Sequence, residues 1–472
     1  MKVELEYGDG VQEVDLPDRT VVVPVGPAGH EPPPLADPVA HTRAALREPL
    51  GSAPLAGLVR RGSRVTIAFP DRVKGGAHGT AHRKVSIPLI VAELERAGVR
   101  RADVTLVCAT GLHRKNRREE FEQYLGREVL DMFGPAQIIN HDAEDPAGIV
   151  GLPDSELGDT VQVNRLVTES DLTVLIGHTA GNPYGGFSGG YKMPATGLTT
   201  WRSIRRHHTP ATMHRGDFLP VSTGTHFRRQ LTAIGQRMEA AMPQPFFAVD
   251  AVIDSQSRQL GVFAGAIPEV ERASWPLAGR RTAIELSGGP ADVLVVGVPR
   301  SFHYGNGMGS NPILMTQAIG AALARARAAL RPHPVVIATA VCDGWFNKAE
   351  FPAYRQVFEL LGSVHHPAEM VRLEEEVCAE YEWIYRYRYR YGYHPFHAFS
   401  MVYMGALLRE HAAAVYIAGA RKPGYARAMG AIPVATVGDA LREASRHVGA
   451  DPRILAVPGL SKPAYHVAAS GS

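Results

Sequence analysis

Residues 65–114 read VTIAFPDRVKGGAHGTAHRKVSIPLIVAELERAGVRRADVTLVCATGLHR. The stretch opens on a buried-type strand, Val65 to Phe69, whose end runs straight into the polar edge Pro70, Asp71 and Arg72. An amphipathic helix follows around Ile87 to Ala97. A second apolar strand, Val104 to Cys108, has its own polar edge at Thr110, Gly111, Leu112, His113 and Arg114, with a short helix near Glu119 after it. Apolar strand, loop and amphipathic helix in alternation predict an α/β fold with a mostly parallel sheet. In such sheets ligands bind outside the carboxyl ends of the strands. A third edge, Leu172 to Ile176 leading into Gly177 and His178, joins the first two in nominating one crevice.

On the N-terminal side, Val3 to Tyr7, Val11 to Leu16 and Thr20 to Val25 are short, valine-rich and partly alternating, separated by Gly-Asp-Gly and Pro-Asp. They predict an antiparallel strand set. A proline-rich connection, GPAGHEPPPLADP, leads from it to the stretch above. On the C-terminal side a second α/β block begins near Ser287-Gly288-Gly289-Pro290, with the strand Val293 to Val298, a glycine-rich loop, a helical stretch from about Pro312 to Leu330 and the strand Val335 to Ala340. The boundary falls near residues 275–290. The expected architecture is two α/β domains with mostly parallel sheets and the active site in the cleft between them. Residues 1–285 form the N-terminal domain with the glycine-rich loop, and 286–472 the C-terminal one, whose last segment is free to pack back on the first.

Composition narrows the function. The 472 residues, 45% hydrophobic and 21% charged, hold enough apolar material for more than one core. Fifty Lys and Arg against 47 Asp and Glu leave +3, too little for a protein that neutralises phosphate backbones, so no nucleic-acid partner is expected. The three cysteines, Cys108, Cys342 and Cys378, are widely spaced and odd in number, which excludes a disulfide framework and a zinc ribbon and fits a reducing compartment. The charged, alternating start and the lack of an apolar run of about 18 residues predict a cytoplasmic protein that does not enter a membrane.

The richest loop is GNPYGGFSGGYKMP, Gly181 to Pro194. Glycines there permit positive φ and close backbone approach, and the loop amides are candidates to cradle an anion. It is not a Walker loop, because Tyr191 separates the last glycine from Lys192 and no Ser or Thr follows. Lys192 is either a phosphate contact or, if desolvated, a nucleophile able to hold a covalent adduct. His207 and His208 follow on a helix starting near Thr200, and one of them is a candidate metal ligand. His113, just past a strand end, is a candidate general base, with Asp71 to orient it or bind a hydroxyl, and Arg72 and Lys74 offer charge to a carboxylate or phosphate. Gly305-Asn306-Gly307-Met308-Gly309 has the wrong spacing for a dinucleotide turn. HExxH and EF-hand patterns are absent. The Arg-Tyr alternation at Tyr385 to Tyr393, with His394 and His397 after it, either lines a pocket or is a packed helix or strand face.

Taken in order, FPDRVK, ATGLHR, GGFSGGYKMPATG and the His207-His208 pair resemble the lactate racemase family of nickel-pincer nucleotide enzymes. The resemblance implies a nickel pyridinium-3,5-bisthiocarboxylic acid mononucleotide, thioamide-linked to Lys192, with nickel held by two sulfurs, a carbon and His208. The cofactor-binding set is then Lys192, Ser188, Gly189, Gly190, Thr110 and Gly111, and the substrate-binding set Arg72, Lys74 and Gln317. The implied activity is 2-hydroxyacid racemisation or epimerisation, an isomerase reaction on a small hydroxylated carboxylic acid. Hydride moves to the cofactor while one of two histidines takes the hydroxyl proton. Cofactor-maturation enzymes are implied as partners, and self-association is left open.

Three positions depart from the family pattern. The first histidine matches His113, supported by Asp71, but the second matches Asn182, whose amide has no useful basicity near neutral pH. His178, His394 and His397 are candidates to replace it. The usual Asp-x-x-Arg is Asp71-Arg72-Val73-Lys74, exchanging a bidentate fork for an ammonium, and a family lysine falls on Gly320. Two alternatives therefore stay open: a one-sided redox or isomerisation enzyme on another hydroxylated substrate, and a non-catalytic small-anion-binding protein on the same fold.

Overall fold

The computed structural model describes residues 1–23, 31–460 and 463–467. It is α/β and its sheets are mostly parallel, as the strand and helix alternation requires. The first sheet has six strands in the order Gln259–Ala266, Phe247–Ile253, Leu172–Thr179, Val65–Pro70, Val104–Ala109, Ile138–Asn140. All its pairings are parallel except that between Gln259–Ala266 and Phe247–Ile253. Val65–Pro70 and Leu172–Thr179 are buried at every position. Central strands covered on both faces read this way, as unbroken apolar runs rather than alternation. Helix His82–Arg96 packs its Ile87, Ile90, Val91 and Leu94 against one face of the sheet.

The second sheet has eight strands and follows the order Ile432–Val434, Ala414–Ala418, Leu330–Thr339, Ala291–Pro299, Lys2–Gly8, Gly10–Asp15, while Ile454–Val457 pairs with Ala291–Pro299 and with Val21–Val22. This corrects the expected place of the N-terminus. Lys2–Gly8 and Gly10–Asp15 do form an antiparallel pair, but Lys2–Gly8 then runs parallel to Ala291–Pro299, nearly 300 positions away in the chain. Residues 1–23 thus belong by pairing to the second sheet, not to the block that begins at Val65. Val alternation announces a strand and a buried face; it does not choose the neighbour. The expected strand Thr20 to Val25 is Val21–Val22, and Pro24 and Val25 lie outside the described residues. The last described strand, Ala464–Val467, pairs with Ala283–Leu286 at the junction of the two blocks.

Two helices of the second block cross closely, Pro312–Ala326 and Pro395–His411. A Cβ on Gly320 would stand 2.3 Å from the Met404 carbonyl oxygen, and one on Gly405 would stand 2.8 Å from Thr316 Oγ1. Glycine on both helices lets the backbones approach, and this fixes which stripe of Pro312–Ala326 faces away from the crossing. The same helices share one apolar cluster with the first sheet, Ile313, Leu314, Phe396 and Phe399 meeting Val107 and Leu175. The Arg-Tyr run is helix Tyr381–Tyr389, with Tyr387 buried and Tyr381 and Tyr389 exposed. Among the described residues no helix is long and apolar enough to cross a membrane.

Candidate active site

A cavity of about 270 Å³ opens at the carboxyl ends of the first sheet's strands and is roofed by residues 302–325 and 397–401 of the second block. Three of the strand edges picked out in the sequence meet there, bringing Asp71, Thr110, His113 and His178 to its wall. Asp71 and His113 end up together because Val65–Pro70 and Val104–Ala109 are neighbouring strands. His113 Nδ1 lies 2.6 Å from Asp71 Oδ2. Burial pushes the Asp71 carboxyl up, but the charge and hydrogen bond of His113, with Lys74 and Arg72 behind, more than offset it and hold it below its ordinary value. The carboxylate therefore accepts from Nδ1–H, which leaves Nε2 as the imidazole's working nitrogen. The buried Arg83 fixes the turn by donating to the Pro70 and Asp71 carbonyls at 2.8 and 2.7 Å.

The glycine-rich loop delivers Ser188 and Lys192 to the cavity, yet its amides are not free for an anion. Gly190 N–H donates to Asp250 Oδ2 at 2.8 Å and Tyr191 N–H to Glu271 Oε1 at 3.0 Å. The glycines are needed for these two buried carboxylates: Gly189 and Gly190 have positive φ, and a Cβ on Gly190 would stand 1.9 Å from Glu271 Oε1. Gly177, directly opposite Asp250 in the sheet, makes room for it in the same way. Gly189, Gly190 and Gly111 accordingly shape the backbone and do not line the cavity. Ser188 sits in the spelling Gly-Phe-Ser-Gly-Gly, a G-x-S-x-G match, but its Oγ donates to the His178 carbonyl at 2.7 Å and accepts from Ala180 N–H at 3.1 Å. Among the described residues the partners of this hydroxyl are backbone groups and not an imidazole that would activate a hydrolase nucleophile.

Lys192 begins helix Lys192–Gly197 and is 7% exposed, which decides its state. Its Nζ lies 5.6 and 5.2 Å from the ring centroids of Tyr184 and Phe227, and among the described residues no carboxylate comes within 4.0 Å. Burial first, then the charges of Lys74 and Arg228, hold the amine well below the usual lysine range. Tyr184 stacks on His208, centroids 5.3 Å apart. His208 is buried, and its protonated form is disfavoured by burial first and by His207 and Lys192 next. His207 itself does not line the cavity; its Nδ1 lies 2.7 Å from His208 Nδ1.

Of the substrate-side candidates, Lys74 and Gln317 line the cavity and Arg72 does not. Arg72 turns outward to Glu120, Glu350 and the Tyr393 hydroxyl, at 3.6, 4.0 and 3.4 Å. Asn182 lines the cavity, but its Oδ1 accepts from Tyr184 N–H at 2.9 Å and so caps the loop. Thr110 donates its hydroxyl to the His141 carbonyl at 3.1 Å. Of the histidines weighed against Asn182, His394 is committed at both nitrogens, to Glu144 Oε1 at 2.9 Å and to Phe396 N–H at 3.1 Å, and lies off the cavity. His178 and His397 both line it. His397 stands 5.4 Å from His113, ring to ring; its Nδ1 is 2.7 Å from the Tyr354 hydroxyl, and its buried Nε2 has no hydrogen-bond partner among the described residues.

Sequence reasoning missed Tyr304, Arg281 and Arg325, which also line the cavity. Tyr304 had a signal, since it follows a strand end of the second sheet; the arginines, on helices, had none.

The donor set suits a metal brought in by an organic group. Among the described residues no three His, Cys, Asp or Glu side chains cluster to hold a metal ion by themselves. The cavity instead offers buried imidazoles whose protonated forms burial disfavours, His208 and His397, together with a desolvated lysine able to form a covalent bond.

Residues 7–218 match the family model described as the lactate racemase N-terminal domain. The lactate racemase of Thermoanaerobacterium thermosaccharolyticum is 23% identical over 271 residues, 56% of this chain and 59% of that protein. The lactate racemase of Lactiplantibacillus plantarum is 23% identical over 222 residues, 47% of this chain and 49% of that protein. The matched region thus spans about half the length of these curated relatives. The structure of the lactate racemase apoprotein from Thermoanaerobacterium thermosaccharolyticum shares the fold, with a TM-score of 0.70 at 18% identity over 98% of this chain and 100% of that one. A crystal structure of a Thermotoga maritima protein has a TM-score of 0.53 at 13% identity, covering 91% and 97%.

Proposed function

We propose that this chain, a divergent member of the lactate racemase family, is an isomerase that inverts the hydroxyl-bearing carbon of a small hydroxy acid. The observation that carries the reading is one cavity holding a desolvated lysine, a buried neutral histidine and an Asp–His pair. Lys192 would tether the nickel-pincer nucleotide through its amine, and His208 would give a ring nitrogen to the nickel. When bound, that group supplies a hydride acceptor at the reacting carbon. The residues of the chain do the rest. His113 takes the substrate hydroxyl proton at Nε2, while the Asp71 carboxylate holds the ring and steadies the imidazolium that results. Lys74 sets a positive charge beside them, and Gln317, whose buried Oε1 has no hydrogen-bond partner among the described residues, is available to accept from a substrate hydroxyl.

Inversion needs a second proton-transfer group, and we assign it to His397. Its support is the buried Nε2, which has no hydrogen-bond partner among the described residues, together with the Tyr354 hydroxyl at Nδ1. In the tautomer that donates Nδ1–H to Tyr354, Nε2 is a lone pair able to act as base. His178 is the alternative on the same wall.

The test is to produce the chain with cofactor-maturation enzymes and to measure intact mass, metal content and inversion of hydroxy acids in D₂O. A lysine adduct on Lys192 with nickel is expected, and Lys192→Ala should abolish it. A cofactor-competent preparation with bare Lys192 and no nickel would end the reading. Loss of inversion in His397→Ala, with His178→Ala active, assigns the second group; the reverse pattern transfers it to His178.

A further inference from the structure

His207 and His208 meet in a way that the reaction above leaves unused. His208 Nδ1 lies 2.7 Å from His207 Nδ1, so a single proton between the two nitrogens serves both. One ring donates and the other accepts. Both are buried, and their packing resists a ring flip: Phe227 stands edge to face with each, centroids 5.6 and 5.7 Å apart, and Tyr184 stacks on His208.

Of the two, only His208 lines the cavity, and with its Nδ1 committed it has Nε2 left to offer a ligand. The direction of the shared proton therefore decides what the cavity meets. If His207 donated, His208 would accept at Nδ1 and carry its own proton on Nε2, where a metal needs a lone pair. If His208 donates, its Nε2 is bare, and His207 carries its proton on its own Nε2.

The surroundings of His207 favour the second arrangement. The Ala195 carbonyl stands beside this ring and favours a proton on it. With Nδ1 turned to His208, that proton belongs on Nε2, which is buried and for which no donor is placed among the described residues. A bare lone pair there would be desolvated with nothing to satisfy it. Ala195 lies in helix Lys192–Gly197, so His207 also joins the backbone that carries Lys192 to the ring of His208.

We propose that His207 is a positioning residue: it accepts from His208 Nδ1–H and so keeps the His208 Nε2 lone pair turned to the cavity for a metal. The inference rests on the proposed function only in naming nickel as that metal.

The test has two arms. In the first, full-length metal-free protein labelled with ¹⁵N-histidine is read by long-range proton–nitrogen correlation, the two rings being assigned from the signals that disappear in His207→Gln and His208→Gln. His208 should carry its proton at Nδ1 and His207 at Nε2. In the second, protein made with maturation enzymes is challenged with a chelator, and the nickel remaining per lysine adduct is followed. Loss should be about 10- to 100-fold faster in His207→Phe, the usual cost in metal affinity of removing such a partner. His207→Gln, whose amide oxygen accepts the same proton, should lose nickel more slowly than His207→Phe. Near-ultraviolet circular dichroism checks packing, and His207→Leu replaces the Phe variant if that one is unfolded. His208 protonated at Nε2 in wild type overturns the proposal. So does nickel loss in the folded Phe variant that equals wild type, or that equals His207→Gln, since the last pattern is packing alone. A wild-type preparation with neither adduct nor nickel would end the nickel reading, while the correlation spectrum of the metal-free protein still decides the tautomer, so the two failures are distinguishable.

Discussion

Lys192 and His113 occupy opposite electrostatic settings in one cavity. The lysine has aromatic rings and cations around it, whereas the histidine has a buried carboxylate. A lowered amine pKa means that the proton leaves at lower pH, so the nucleophilic form accumulates earlier as pH rises. Carbamylation by cyanate, a reagent small enough for the cavity, should therefore rise through a midpoint at lower pH for Lys192 than for the exposed lysines. Site-resolved mass spectrometry across a pH series reads this out, and superimposable profiles would refute it. For His113 the expected loss on substitution by alanine is about 10²- to 10⁴-fold in turnover of loaded enzyme, the usual cost of a general base. Asp71→Asn keeps a hydrogen-bond acceptor but removes the charge, so its loss should be smaller and should grow where the imidazolium must form. Full turnover in His113→Ala would remove the histidine from the mechanism.

Helix Pro312–Ala326 shows how an element's packing decides a site. Its crossing with Pro395–His411 is glycine-mediated, and the crossing turns Gln317, Ala321 and Arg325 toward the cavity. Placing at Gly320 the lysine that the sequence resemblance puts there, as Gly320→Lys, should thus unfold or loosen the protein. Even Gly320→Ala places its Cβ against backbone, and overpacking of this kind costs about 1–3 kcal/mol. Urea denaturation should show a lower midpoint for Gly320→Ala, while Gly216→Ala, with no atom within 4 Å of its added Cβ, should stay within about 0.5 kcal/mol of wild type. Equal midpoints would mean that the crossing is looser than drawn. The glycine-rich loop teaches a related lesson. Its composition marked the place of Lys192, but Asp250 and Glu271, which occupy its amides, come from elements whose approach is tertiary.

At the scale of the whole molecule, what could be read from sequence was what is local to a strand and its end. Continuous apolar runs gave the parallel strands, and the polar residues after them gave Asp71, His113 and His178. What could not be read was set by distant neighbours: the inward stripe with Arg325, the choice between His394 and His397, and the partner of the first strand. That last point makes a test of the topology. Leu5 is fully buried in Lys2–Gly8 and packs with Val293, Val295 and Ile337, residues of the second sheet. Deleting a leucine side chain from such a core costs about 2–5 kcal/mol. The loss should also be local, since the strands that touch Leu5 open more readily than those that do not. Hydrogen exchange in Leu5→Ala should accelerate across Val293 to Val298 and Val335 to Thr339, with Val65–Pro70 and Leu172–Thr179 changed least. If residues 1–23 belonged to the first block, the pattern would invert, and protection would be lost around the strands that carry Asp71 and His178.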